Sequence, residues 1–217
     1  MKKYIFTLLI GLLYLTSCSE HEGTIYPGNE VQALFRAKSY TYEVVEADKG
    51  SLTVKLYRGN PKGNEDVQLA LTPPDLDAAT LAELDFKLKS NTASFKDGEN
   101  VTDVVVEYNF DAFGVTDVYK LTLAIADKDQ APLYSSAAAY SSTVLNISQK
   151  LTFVSLGEFD FNSDFFGDTW ESTLARAEED PNVFRLVDCY YKGYSLTFVM
   201  DDKREEILQF DTQQMGY

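Results

Sequence analysis

Trp170, Tyr190, Tyr191 and Tyr194 carry the chemistry of a sugar-binding platform. Their ring faces can stack on a pyranose, and neighbouring Asp, Asn and Arg side chains can meet its hydroxyls. Tyr190-Tyr191-Lys192-Gly193-Tyr194 reads as a loop, which would expose some of these rings. The alternative is that all four are core and sheet-face residues. A second pattern lies upstream. Counted from Asp160, the first, third, fifth and twelfth positions are Asp160, Asn162, Asp164 and Glu171, the ligand spacing of an EF-hand loop. The sixth position needs Gly for its sharp turn and is Phe165, and no amphipathic helices flank it. This stretch therefore predicts a β-turn between two aromatic strands. Catalytic patterns are lacking: the sequence has no Gly-x-Ser-x-Gly elbow, His-Glu-x-x-His helix or phosphate-binding Gly-rich loop. His21 is the single histidine and precedes the expected folded part, so that part can hold no histidine triad or His/Cys zinc site. Asp201-Asp202 and Glu178-Glu179 are adjacent in sequence. On a strand they would point to opposite faces and could not pair across a cleft. The expectation is a protein that is not an enzyme.

The elements that must position these residues are strands. The chain has 217 residues, 45% hydrophobic and 13% aromatic, enough to build a core. Its formal charge of −15 argues against nucleic acid and against direct binding to anionic lipid head groups. Period-two alternation begins near residue 31 and runs to about Ser148. Leu52, Val54 and Leu56 alternate with Thr53, Lys55 and Tyr57, and Tyr119, Leu121, Leu123 and Ile125 with Lys120, Thr122 and Ala124. Turn clusters separate the runs, at Asp48-Lys49-Gly50, at 58–63 and at 96–100. Such spacing predicts antiparallel strands with one buried face each, stacked as a sandwich. Leu76 to Phe86 has helical spacing and predicts a turn or two crossing between sheets. New alternation starts after Gln149, with Leu151 and Phe153 and later Tyr194, Leu196, Phe198 and Met200. The fold class is all-β: a sandwich over 31–148, then a smaller β-domain over 149–217.

Glu43 to Arg58 (EVVEADKGSLTVKLYR) resembles the start of a Calx-beta domain, and Ala93 to Asn100 (ASFKDGEN) resembles that family's later F-x-x-G turn. The resemblance implies an immunoglobulin-like sandwich. It also implies a calcium candidate, the one cofactor to consider: Glu46 with Asp127 and Asp129, meeting at one end of the sandwich. Calcium-binding members end the last strand in acids, whereas Leu145 to Lys150 reads LNISQK here, so solvated loop acids are the competing reading. Residues 149–217 resemble the second domain of Bacteroidota-type lipoproteins, through Trp170-Glu171-Ser172, Phe184-Arg185-Leu186 and the Gln213 to Gly216-Tyr217 stretch. In those proteins the last stretch falls mid-domain, so this domain reads as a shortened version of a longer one.

The N-terminus completes the reading. Lys2 and Lys3 precede a twelve-residue apolar run, Tyr4 to Leu15, too short to span a bilayer. Thr16-Ser17-Cys18 follows. This is a signal-peptide pattern over residues 1–17, and with Cys18 it resembles a bacterial lipobox. The resemblance implies cleavage before Cys18 and multiple acylation of that residue, whose several chains would anchor the protein to a membrane stably. Residues 18–30 would then be a tether. Cys189 would be left as a lone thiol with no disulfide partner. Ser19 in place of Asp implies the outer membrane, and Ser19-Glu20-His21-Glu22 resembles a surface-export tract. The sequence points to a lipid-anchored binding or scaffolding module at the cell surface, accessory to glycan capture. A structural or adhesive protein acting on an envelope protein is the second reading.

Overall fold

The computed structural model describes residues 31–132, 139–210 and 213. Cys18, the signal peptide, the tether and most of the 211–217 stretch lie outside the described residues. The alternation becomes sheet throughout. One sheet has four strands in the order β1 (Ala33–Leu34), β3 (Ser51–Arg58), β7 (Val101–Glu107), β5 (Lys87–Leu88). A second has five, in the order β2 (Ser39–Val44), β9 (Ser142–Gln149), β8 (Val118–Ile125), β4 (Glu65–Thr72), β6 (Thr92–Phe95). Their inner faces make one core. β3 contributes Leu52, Val54 and Leu56, β8 contributes Tyr119, Leu121, Leu123 and Ile125, and β9 contributes Leu145 and Ile147. Each such fully buried side chain stabilises the fold by about 1.5–3 kcal/mol before entropy is subtracted.

The expectation of antiparallel strands fails at one pair: β2 runs parallel to β9, with Ser39 opposite Val144 and Val44 opposite Gln149. Alternation fixes which face a residue takes but carries no information on strand direction. The helical stretch is two turns, Ala78–Leu84, and joins the two sheets as expected. Asp77 caps it, its Oδ1 accepting from the amides of Ala79 and Thr80 at 3.0 Å. Gly50 closes the turn before β3 at φ +65°, and a Cβ there would sit 2.4 Å from the Tyr108 carbonyl oxygen. Only glycine fits that approach.

The third sheet is a five-stranded antiparallel meander of β10 (Phe153–Ser163), β11 (Asp168–Ala177), β12 (Val183–Tyr191), β13 (Tyr194–Met200) and β14 (Ile207–Gln209). Register places Ala175 opposite Arg185 and Arg185 opposite Thr197, so these share one face. Ser172, Phe184 and Leu196 are buried on the other. No helix of the described residues is long and apolar enough to cross a membrane.

Candidate functional site

The β10–β11 hairpin positions the aromatic candidates. Asp160 pairs with Glu171 and Phe161 with Trp170, so the EF-hand-like spacing falls on two paired strands and the four-residue turn between them. Alternation puts the acids on one face and the rings on the other. Trp170 is half-buried, and its indole Nε1 donates to the Cys189 carbonyl at 2.6 Å. Its ring lies 5.3 Å from Phe161 and 5.7 Å from Tyr190. Phe166 closes the cluster, 5.7 Å from Tyr190. Such tilted and edge-on pairs add about 0.5–1.5 kcal/mol each beyond burial. The cluster thus joins two of the sequence candidates, Trp170 and Tyr190, with Phe161 and Phe166.

Tyr191 and Tyr194 form a separate pair across the next hairpin turn, rings 6.1 Å apart. Asp188 sets that turn. It holds the left-handed conformation, φ 50°, inside a strand irregularity, and its Oδ1 accepts from the Gly193 amide at 2.9 Å. Between the ring cluster and this turn lies an open groove of about 470 Å³, lined by Phe166, Trp170, Tyr190 and Tyr191 with Asp168, Asp188 and Lys192. Tyr191 is 57% exposed and Phe165, at the hairpin tip, 87%. Ring faces and edges with flanking carboxylates and an ammonium can stack a sugar and meet its hydroxyls. Tyr194 is 37% exposed and lies beside rather than in this groove. Sequence reasoning missed Phe161, Phe166, Asp168, Asp188 and Lys192. Phe161 and Phe166 were legible as neighbours of a tight turn, but the Asp188 irregularity that brings Tyr190 to Trp170 has no sequence signature.

The acids implied by the Calx-beta resemblance do not converge. Glu46 follows β2, at the end where β9 finishes and β8 begins. Asp127 and Asp129 follow β8, at the opposite end. The sheet between them is eight residues long, so at ~3.3 Å per residue the two places are roughly 25 Å apart. Asp127 turns inward on its own loop, accepting from the Asp129 amide at 2.9 Å. The expectation that all three meet is corrected by topology: the loops after β2 and after β8 leave opposite ends of one sheet. Among the described residues no group of three or more His, Cys, Asp or Glu is placed to hold a metal ion.

A second concavity, about 460 Å³, lies where the third sheet meets the ends of β8 and β9. Arg185 lines it from one side and Glu43 from the other. The guanidinium stacks on the Phe153 ring, 3.6 Å from its centroid, and Nε donates to Thr197 Oγ1 at 3.2 Å. Burial pulls the Arg185 pKa down, and the nearby Glu43 charge offsets this only in part. A guanidinium stays cationic through such changes.

No family model matches this chain, and no curated protein matches it. Solved structures similar to it include a "putative carbohydrate binding protein" from Bacteroides ovatus ATCC 8483, at 12% identity and TM-score 0.38, covering 79% of this chain and 65% of that one. Another is an auxiliary nutrient binding protein from Bacteroides thetaiotaomicron VPI-5482, at 13% identity and TM-score 0.39, covering 76% and 67%. A third, from Bacteroides ovatus and of unknown function, has 11% identity and TM-score 0.40, covering 80% and 73%. The chain spans slightly less than two thirds of the first of these.

Proposed function

We propose that this protein is a non-catalytic binding module of the bacterial envelope, held to the outer membrane through Cys18 and facing outward, that captures glycan in the groove between Trp170 and Tyr191. One observation carries the reading: half-buried Trp170 and exposed Tyr191 line a single open groove whose remaining walls include two carboxylates and an ammonium. The rings supply stacking area and the charged groups supply hydroxyl partners. The lipid raises local concentration at the surface, so a weak site suffices. A glycan array probed with wild type and with the Trp170→Ala, Tyr191→Ala double variant tests it. Binding by the wild type should fall at least about tenfold in the variant, the loss of one good stacking contact or more. Undiminished binding by the variant would remove the groove from the account.

A second reading has its own observation. Among the described residues β14 is an edge strand, and Ile207, Leu208 and Phe210 on and beside it are all more than half exposed. An apolar edge strand is a template for an added strand. This favours a structural or adhesive role through an envelope protein, and failure of every glycan on the array would bring it forward.

A further inference from the structure

The concavity between Arg185 and Glu43 is separate from the aromatic groove and shares no lining residue with it. Its volume, about 460 Å³, falls in the range of small-molecule sites, ~300–1,000 Å³. The Arg185 side chain is fixed before any ligand arrives. Phe153 holds the guanidinium plane, Thr197 Oγ1 takes Nε, and Gln213 in turn holds Thr197, Oε1 accepting from its amide at 2.7 Å and Nε2 donating to its carbonyl at 2.6 Å. These contacts leave the two terminal nitrogens uncommitted: among the described residues no carboxylate lies within ion-pair distance of them. A half-buried guanidinium has lost part of its hydration and gains from a planar anion that meets its fork. Arg58 is a contrast: it is a structural arginine that spends its nitrogens on four backbone carbonyls.

We infer that this cleft is a second binding site, and that it takes a small monocarboxylate rich in hydroxyls, of the sugar-acid class. The carboxylate pairs with the terminal nitrogens of Arg185. Ser148, Gln149 and Thr116 on the other walls offer hydroxyl and amide partners for the ring hydroxyls. Glu43 faces the same space and limits the charge the site accepts. A dianion would meet it as a like charge, whereas a single carboxylate held at Arg185 leaves Glu43 to accept from a hydroxyl. The site does not depend on the aromatic-groove reading.

Titration calorimetry on the full chain with glucuronate, glucose and inorganic phosphate tests the inference. Glucuronate should bind saturably, with glucose at least about tenfold weaker, the worth of a charge-assisted bidentate contact, and with phosphate weaker too, because its second charge meets Glu43. Arg185→Lys should lose at least about tenfold, because an ammonium cannot present the fork. Glu43→Gln, at an exposed position, should take phosphate better, because the like charge facing the dianion is gone. Trp170→Ala with Tyr191→Ala should leave glucuronate binding unchanged, which separates this site from the groove. The inference is overturned if glucuronate does not bind, if glucose equals it, if Arg185→Lys binds undiminished, or if the Trp170 and Tyr191 changes abolish binding. Should Arg185→Lys not fold, an unchanged phosphate affinity in Glu43→Gln overturns it instead.

Discussion

Tyr108 shows how a single residue can set a pH limit. Its ring is packed against Phe86 and Phe113 at 6.3 and 5.2 Å, while its hydroxyl, buried, has no hydrogen-bond partner among the described residues. Burial first, then the charge of Asp48, pushes its pKa up to about 12. The folded pKa thus lies above the unfolded value of about 10. The protonated phenol's contribution to stability is fully present below pH about 10 and is lost as pH rises through about 12. Tyr108→Phe removes the unpartnered hydroxyl and keeps the ring. Thermal melts should show it equal to or slightly more stable than wild type at neutral pH, by up to roughly 1 kcal/mol. The alkaline decline should become shallower without vanishing, since burial also raises Tyr42 and Tyr119. A clear loss of stability at neutral pH would show that the hydroxyl has a partner after all.

Arg58 argues the same way for elements. Nearly all of its side chain is buried, and it donates to the carbonyls of Glu99 and Lys96 at 2.6 Å, Pro61 at 2.8 Å and Gly63 at 3.1 Å. Its guanidinium also sits 5.0 Å over the Phe95 ring. One cation thereby ties the loop after β3 to the loop after β6. The two stretches that resemble a Calx-beta domain, one ending in Arg58 and one beginning near Phe95, meet at this point. Arg58→Met should cost on the order of 3 kcal/mol, because four carbonyls lose a charged donor at once. Denaturant melts check this, and a cost below about 1 kcal/mol would mean water replaces the donor freely. Much of this level was legible in sequence. The alternation of β3 and β8 named their buried residues, and the turn clusters fell where Arg58 now gathers them. Strand direction was not legible, so neither the parallel pairing of β2 with β9 nor the distance of Glu46 from Asp127 and Asp129 could be read from the residue pattern. Of the site, Trp170 and Tyr191 were visible as residues. Their groove depends on the Asp188 irregularity and on ring partners supplied by register, neither of which a residue pattern encodes.

At the scale of the whole molecule there are two concavities of similar volume, one aromatic on the third sheet and one built around a guanidinium where that sheet meets the ends of β8 and β9. The proposed lipid at Cys18 would hold both at a membrane, with residues 18–30 as spacer. Protease shaving of intact cells expressing the chain, beside a Cys18→Ala control, should cleave the wild type and find the control released or lost. Cleavage only after the envelope is opened would place the binding surfaces on the inner side. The chain contains one tryptophan, Trp170, and it sits in the aromatic groove. Its fluorescence therefore reports on that groove alone. The most direct measurement is a titration of the glycans bound on the array, followed by Trp170 emission. The account predicts a saturable shift or quench whose midpoint equals the binding constant measured independently. Glycan binding with Trp170 emission unchanged would contradict it.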